Sequence, residues 1–312
     1  MSADDLVDGV LAGRTRAVAR LISAIEQGAE LAEPAARRLW QAGGRARVIG
    51  LTGPPGVGKS TLANRLVQDL RAGGQRVAVL AVDPSSPASG GAVLGDRVRM
   101  LAAATDPGVF IRSMSARGAF GGLSRAAGDA LTVLEAAGFD TILIETVGVG
   151  QTEVEIAAFC PCVLLLQSPS AGDGVQAIKA GVVEIGSVHV VTRPDQGDPA
   201  ALLRALHEMA AMRHAADPGG WVPQVLAADA RTGDGMVALH DAITARFRWL
   251  ADHPARAMAE EDQRIRTRAL LALRAGAERR LALPDDPALA ATLARVRLRQ
   301  DHPMALVRQL SG

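Results

Sequence analysis

The chain has no tyrosine, one asparagine, two cysteines and two lysines among its 312 residues. Aromatic side chains amount to only 3%, which disfavours a surface that stacks single-stranded nucleic acid. The two cysteines, Cys160 and Cys162, are too few for a disulfide framework. Their scarcity predicts a protein of the reducing cytoplasm.

Charge of one sign and long apolar runs are also lacking. The formal net charge is +1, so the overall charge gives no support for nucleic-acid or membrane binding. The first residues are acidic and lead into no apolar segment of a secretory signal. No apolar stretch approaches the roughly 20 residues of a membrane span. We therefore expect neither a nucleic-acid nor a membrane partner.

One of the two lysines stands in a glycine-rich motif. Residues 53–60 read GPPGVGKS, which fits G-x-x-x-x-G-K-[ST] at every fixed position. A P-loop needs a flexible point charge that reaches the β- and γ-phosphates, and lysine supplies it where a planar guanidinium does not fit. The motif predicts a nucleoside triphosphate site that comprises Gly53, Pro54, Pro55, Gly56, Val57, Gly58, Lys59, Ser60 and Thr61, with Ser60 on Mg²⁺ and Lys59 in a catalytic role.

Apolar segments alternate with helical patterns around this motif. Buried strands are predicted at 46–52, 76–82, 141–145, 163–167, 188–192 and 222–227, with a short strand at 110–112. Near-continuous apolar strands are typical of parallel sheets that are covered on both faces. We expect an α/β P-loop NTPase fold, with a mostly parallel sheet flanked by helices.

Helical patterns dominate both ends of the chain. We predict an N-terminal helical extension at 1–45, with a helix over 34–41, and a P-loop domain at 46–248 that contains a helix over 60–71. Residues 249–312 form a C-terminal helical region, with helices at 256–281 and 288–298 separated by a proline break.

Three acidic residues are candidate magnesium ligands. Asp83 and Glu145 end predicted strands, and carboxylates at the carboxyl ends of parallel strands face the ligand crevice. Asp96 lies in a glycine-rich loop that can fold over phosphates. The alternatives are an Asx-turn at Asp83, a solvated loop acid at Asp96 and a solvated strand-end acid at Glu145.

The segment after Glu145 has the pattern of a phosphate-sensing loop. Gly148 follows the acid by three residues and offers an N–H to the γ-phosphate, so hydrolysis would release the loop. Gln151 is a candidate for positioning the attacking water, as a glutamine does in some GTPases.

These motifs together resemble the MeaB/ArgK-like group of P-loop GTPases, in the metallochaperone-type branch. The resemblance rests on 53–61, on VLAVDPSSP at 79–87, on ETVGVGQ at 145–151 and on AGDGVQAIKAG at 171–181. It covers about residues 45–240. It implies a chaperone that hydrolyses GTP with Mg²⁺, gates adenosylcobalamin loading and rescues an adenosylcobalamin-dependent acyl-CoA mutase.

The resemblance also implies a homodimer built through the C-terminal helices. Loops at about 83–97, 145–152 and 168–181 would surround GTP or GDP. The last loop contains Lys179, the second lysine, which either contacts nucleotide, switch loop or partner, or is a solvated helix lysine.

The base-binding motif departs from the family pattern. Residues 192–195 read Thr-Arg-Pro-Asp where the family has Asn-Lys-x-Asp. The resemblance assigns Asp195 to guanine N1–H and N2–H₂, Arg193 to the position of the base-packing lysine, and the Ala230 N–H to the base. It gives no role to Thr192.

Other functions remain open at this point. Cys160 and Cys162 would serve a metallochaperone GTPase, although no third and fourth ligands accompany them. A small-molecule kinase would need an acceptor site, and no acceptor motif is visible. A scaffold that does not hydrolyse nucleotide is the reading that the altered base motif suggests. His189, inside a strand, is predicted to be a hydrogen-bonded core residue.

Overall fold

The computed structural model describes residues 2–84, 105–116, 125–146, 152–169, 183–195, 197–282, 286–302 and 304–311. The described strands are β1 (Arg47–Thr52), β2 (Val77–Pro84), β3 (Val109–Ala116), β4 (Thr141–Thr146), β5 (Cys162–Gln167), β6 (Val188–Val191) and β7 (Gln224–Ala227). The described helices are α1 (Ala3–Leu11), α2 (Thr15–Gln27), α3 (Ala32–Trp40), α4 (Lys59–Ala72), α5 (Arg125–Ala136), α6 (Thr152–Glu155), α7 (Pro199–Ala216), α8 (Met236–Asp252), α9 (Pro254–Ala282), α10 (Pro287–Arg297) and α11 (Met304–Ser311).

The seven strands form one sheet in the order β3-β2-β4-β1-β5-β6-β7. Every described strand pair is parallel, which confirms the predicted fold class. Strand β1 lies in the centre, with Leu51 beside Glu145 of β4 and Leu164 of β5. Because the strands are parallel, all their carboxyl ends lie at one edge of the sheet.

Alternate residues of the strands feed two cores on opposite faces of the sheet. On one face, Val48 of β1 packs with Leu21 of α2 and Leu134 of α5. On the other, Leu51 packs with Leu66 of α4 and joins the cluster that contains α8. The period of two along each strand explains why a near-continuous apolar strand serves both cores.

Two strand predictions need correction in their bounds. Strand β3 covers eight residues and pairs with β2 throughout, not only at 110–112. The polar residues of β3 conceal its full length in the sequence, since a strand with such residues does not show a continuous apolar pattern. In the structure Arg112 turns toward α2 and pairs with Glu26. Strand β7 starts at Gln224, two residues later than predicted, because Pro223 has no N–H to donate to a ladder.

Helix α9 begins two residues after α8 ends. Helix α9 runs for 29 residues, close to the predicted 256–281. Among the described helices, none is long and apolar enough to cross a membrane.

The prediction for His189 is half right. The residue is 1% exposed within β6, as expected of a core histidine. Its Nδ1, however, is buried without a hydrogen-bond partner. Burial, together with the nearby Arg213 charge, lowers the pKa of His189 to about 4, so the folded chain holds a neutral imidazole at pH 7.

This burial predicts acid sensitivity. In the unfolded chain His189 becomes protonated below about pH 6.5, whereas in the folded chain it becomes protonated only below about pH 4. The free energy of unfolding should therefore fall as the pH is lowered from about 6.5 to about 4. The contribution of His189 to this loss is about 3 kcal/mol at most. Urea unfolding at pH 7, 5.5 and 4.5 should show a shallower pH dependence for His189→Leu. An unchanged pH dependence in the variant would contradict this assignment.

Candidate nucleotide site

The glycine loop joins the end of central strand β1 to the start of α4. Gly53 has a φ of +142°, and a Cβ there would lie 2.3 Å from the Leu166 carbonyl oxygen of β5. Gly58, which precedes α4, has a φ of +103°. Side chains at these positions would clash or be strained, so the glycines let the loop fold tightly against the sheet. The positive end of α4 therefore faces the loop.

Lys59 lies inside this loop. It is only 6% exposed, and its Nζ donates to the carbonyl oxygens of Gly53 at 2.8 Å and Pro54 at 3.0 Å. A buried ammonium group needs such acceptors, because its desolvation is costly. The two carbonyls hold the positive charge within the cradle that the sequence predicted for phosphate.

A hydrogen bond joins the glycine loop to the neighbouring strand β4. The Ser60 hydroxyl donates to Glu145 Oε1 at 2.6 Å. Glu145 is 6% exposed and lies beside Leu51 in the sheet, so the register of β4 against β1 sets this contact. Two predicted magnesium ligands that are 85 residues apart are thus brought together.

Other predicted residues are placed in part or not at all. The backbone of Asp83 pairs with Ser115, one residue beyond the Val82–Thr146 pair, so it too reaches the carboxyl edge. Thr61 is exposed at the start of α4. Asp96, Gly148, Gln151 and Lys179 lie outside the described residues, as does the side chain of Asp83.

The unexplained Thr192 is buried directly after β6. Its hydroxyl donates to the Val57 carbonyl oxygen at 2.7 Å, and its N–H donates to the Gln167 carbonyl oxygen at 2.8 Å. Thr192 is 6% exposed. The base motif is therefore bonded to the glycine loop itself and to the end of β5.

The chain turns sharply after this anchor. Arg193 has a φ of +50°, a left-handed conformation that an arginine seldom adopts. Asp195, two residues later, is exposed at the same edge of the sheet. Arg231 Nη2 lies 3.3 Å from both carboxylate oxygens of Asp195.

Arg231 lies in the loop at 228–233 that follows β7 and contains Ala230, the second predicted contact to the base. It also donates through its backbone N–H and its side chain to Asp229, and these hydrogen bonds lower the pKa of Asp229 to about 2. Ala230 lies between the two and packs against the core beneath α4 and α8. Since Val191 and Ala227 are neighbours in the sheet, the two base loops leave it side by side.

The sequence alone did not reveal two of these residues. Nothing in the spacing of one exposed arginine marks Arg231 as the partner of an aspartate 36 residues away. Thr192 was noticed only as a departure. Its position directly after an apolar strand was the available signal that its hydroxyl is buried.

A family model described as methylmalonyl-CoA mutase-associated GTPase MeaB matches residues 15–282. The chain belongs to this family. It is accordingly a GTPase that binds guanine nucleotide, related to mutase-associated chaperones.

Relatives in other organisms support the family assignment. A Pyrococcus horikoshii protein that carries the name GTPase is 42% identical over 250 residues, which are 80% of this chain and 79% of that protein. The GTPase ArgK of Escherichia coli is 40% identical over 200 residues, 62% of this chain and 60% of its own length. The mitochondrial methylmalonic aciduria type A homolog of Mus musculus is 40% identical over 196 residues, 62% of this chain and 47% of its own length.

A solved structure extends the likeness to nearly the whole chain. A crystal structure of an LAO/AO transport system kinase superposes with a TM-score of 0.65 at 26% identity, and covers 99% of this chain and 96% of the other. The helices at both ends of the chain therefore lie within the extent of that match.

The position of Lys59 predicts a loss of phosphate binding without a loss of fold. Lys59→Ala should weaken GDP and GTP binding by about 100-fold or more, because it removes the buried charge of the loop that the motif predicts to bind phosphate. Its thermal midpoint should stay within a few degrees of the wild type. Titration with fluorescent GDP and a melting curve measure both quantities. A variant that melts cooperatively but still binds GDP normally would refute this role, and Lys59→Arg tests whether a planar cation suffices.

Proposed function

We propose that the chain is a GTP-hydrolysing chaperone that gates adenosylcobalamin loading and protects or reactivates a cobalamin-dependent acyl-CoA mutase. The observation that carries the proposal is the contact between Ser60 and Glu145. It bonds the phosphate cradle to the first residue of the segment at 145–151, whose sequence is typical of the family. The family match supports the mutase as partner.

The cradle fits Mg²⁺ by its donor chemistry. Mg²⁺ prefers hard oxygen ligands, and Ser60 and Glu145 place a hydroxyl and a carboxylate at one edge of the sheet. Asp83 and Asp96 are the further candidates. The hydroxyl of Ser60 can offer a lone pair to the ion while it donates its proton in the hydrogen bond to Glu145. The ion would neutralise charge on the β- and γ-phosphates.

The remaining catalytic roles are assigned from the motif. Lys59 and the N–H groups of residues 53–61 hold the phosphates, and the Gly148 N–H contacts the γ-phosphate. Gln151 orients the attacking water. Loss of the γ-phosphate would free residues 145–152 from that contact, and the loop would thereby report the nucleotide state to the mutase.

The base is read by the two loops that leave β6 and β7. Asp195 accepts hydrogen bonds from guanine, Arg193 packs on the ring, and the Ala230 N–H faces the base. The contact between Arg231 Nη2 and Asp195 supports this assignment, because it joins the two proposed base loops at the carboxylate. Lys179 is proposed to contact the nucleotide or the partner.

The C-terminal helices are proposed to form a homodimer interface. Leu270 and Leu273 of α9 are 65% and 70% exposed, and Leu298 at the end of α10 is 63% exposed. Apolar side chains that are exposed to this degree can be covered by a second copy of the chain. The proposal divides the chain into an N-terminal extension at 1–45, a GTPase domain at 46–248 and a dimerisation region at 249–312.

The metallochaperone alternative finds little support in the described residues. They contain no group of three or more histidine, cysteine or acidic side chains that is suited to a metal ion. Cys160 and Cys162 are buried, and burial raises the pKa of both thiols, that of Cys162 to about 12. Metal binding needs thiolates, which this environment disfavours. The kinase alternative would require a phosphorylated small-molecule product.

Glu145→Gln tests the magnesium assignment. The amide keeps an oxygen that can accept from Ser60 but removes the charge that favours a divalent ion. We expect GTP hydrolysis to fall about tenfold or more and to require higher Mg²⁺. Hydrolysis rates across a Mg²⁺ titration measure both effects. Glu208→Gln is the matched control, because Glu208 is an exposed residue of α7. An unaltered Mg²⁺ dependence in Glu145→Gln would remove Glu145 from the site.

The mutase assignment has a separate test. GTP hydrolysis should be slow for the isolated chain and should rise when the client mutase is added, since the partner would order the loops around the nucleotide. Candidate adenosylcobalamin-dependent acyl-CoA mutases are assayed one by one, with Lys59→Ala as the inactive control. Co-purification under GDP and under a non-hydrolysable GTP analogue gives the binding readout. If hydrolysis and binding are indifferent to every such mutase, the chaperone function is refuted.

A further inference from the structure

We propose that Thr192 is a positioning residue whose hydroxyl couples the base loop to the phosphate loop and so sets the preference for guanine. The inference rests on the proposed reading of guanine by Asp195. It concerns binding of the base and is independent of any mutase partner.

The coupling is one short, buried hydrogen bond. Thr192 Oγ1 lies 2.7 Å from the Val57 carbonyl oxygen, across 135 residues of sequence. Val57 is 3% exposed and sits in the middle of the glycine loop, between Gly56 and Gly58. Both partners are shielded from water, so no solvent molecule replaces the bond cheaply when it is lost.

The hydroxyl has one proton, and the geometry shows where it is used. Gln167 O also lies 3.2 Å from Thr192 Oγ1, but it already accepts the Thr192 N–H at 2.8 Å. The shorter contact to Val57 is therefore the donor bond. Thr192 thus fastens three segments at one point: the glycine loop, the end of β5 and the start of the base loop.

Asp195 depends on this point for its position. Only two residues separate it from Thr192, and the first of these, Arg193, holds a left-handed backbone. Such a conformation costs free energy and persists only where its surroundings fix it. The buried Thr192 bonds fix the chain before the turn, and after it the exposed carboxylate of Asp195 lies 3.3 Å from Arg231 Nη2.

The same argument explains how threonine serves where the family pattern has asparagine. Threonine has a single side-chain donor, and in this protein it donates to the Val57 carbonyl oxygen. No donor is then left in its side chain for the acceptor atoms of the base. Discrimination for guanine then falls on Asp195, whose distance from the phosphate cradle is set through Thr192.

The test compares GDP with IDP, which lacks the N2 amino group that donates to Asp195. Thr192→Val replaces the hydroxyl by a methyl group of similar size. We expect it to raise the Kd for GDP about tenfold or more, through the loss of a buried hydrogen bond, and to reduce the ratio of IDP to GDP Kd. Thr192→Ser restores the hydroxyl and should recover most of both quantities.

Thr132→Val is the matched control. Thr132 is another buried threonine, 5% exposed, whose hydroxyl donates to the Gly128 carbonyl oxygen within α5. Its loss should lower the thermal midpoint and leave the preference for GDP over IDP intact. Thr192→Ala removes the same hydroxyl without an added methyl group, so the test survives a valine variant that does not fold.

Three outcomes overturn the proposal. One is a Thr192→Val protein with wild-type affinity and preference. Another is a Thr192→Val protein that melts earlier but keeps its preference, since its role would then be stability alone. The third is a wild type that does not distinguish GDP from IDP, because Asp195 would then read no base. Since no mutase enters the assay, none of these outcomes bears on the chaperone function.

Discussion

The parallel register of β1 with its two neighbours is the constraint on which the site depends. It places the end of β1 between Glu145 on β4 and Leu166 on β5. The glycine loop must leave the sheet in the narrow space between them, where the Leu166 carbonyl leaves no room for a side chain on Gly53. The loop therefore begins in close contact with β5.

Polar groups at this edge are satisfied by one another across the sheet. Ser60 donates to Glu145 on one side of the loop, and Thr192 donates to Val57 on the other. Between them, Lys59 lies against the loop's own carbonyl groups. Buried polar groups are costly unless paired, so each of these bonds also fixes the geometry of its neighbours. The glycine loop and the predicted base motif at 192–195 therefore form one bonded unit.

Much of the fold and of the phosphate half could be predicted. The apolar strands, the motif at 53–60 and the acid at the end of β4 each carry a local signal, because period and spacing are properties of short segments. The strand β3 was underestimated because Arg112 is polar and yet turned inward toward Glu26. Pro223 delayed β7 for a reason visible in the sequence, the missing N–H.

The sequence by itself determined the α/β class, the P-loop and its lysine, since glycine, lysine and serine at fixed spacing already specify a phosphate cradle. Only the tertiary structure decided how the predicted base motif is held. The contact of Thr192 with Val57 spans 135 residues, and that of Arg231 with Asp195 joins two loops. Both arise from strands that are brought side by side in the sheet, and no local pattern encodes which side chains then meet. In the sequence Thr192 is only a departure from the family motif. In the folded chain its hydroxyl donates the hydrogen bond that joins the predicted base motif to the glycine loop.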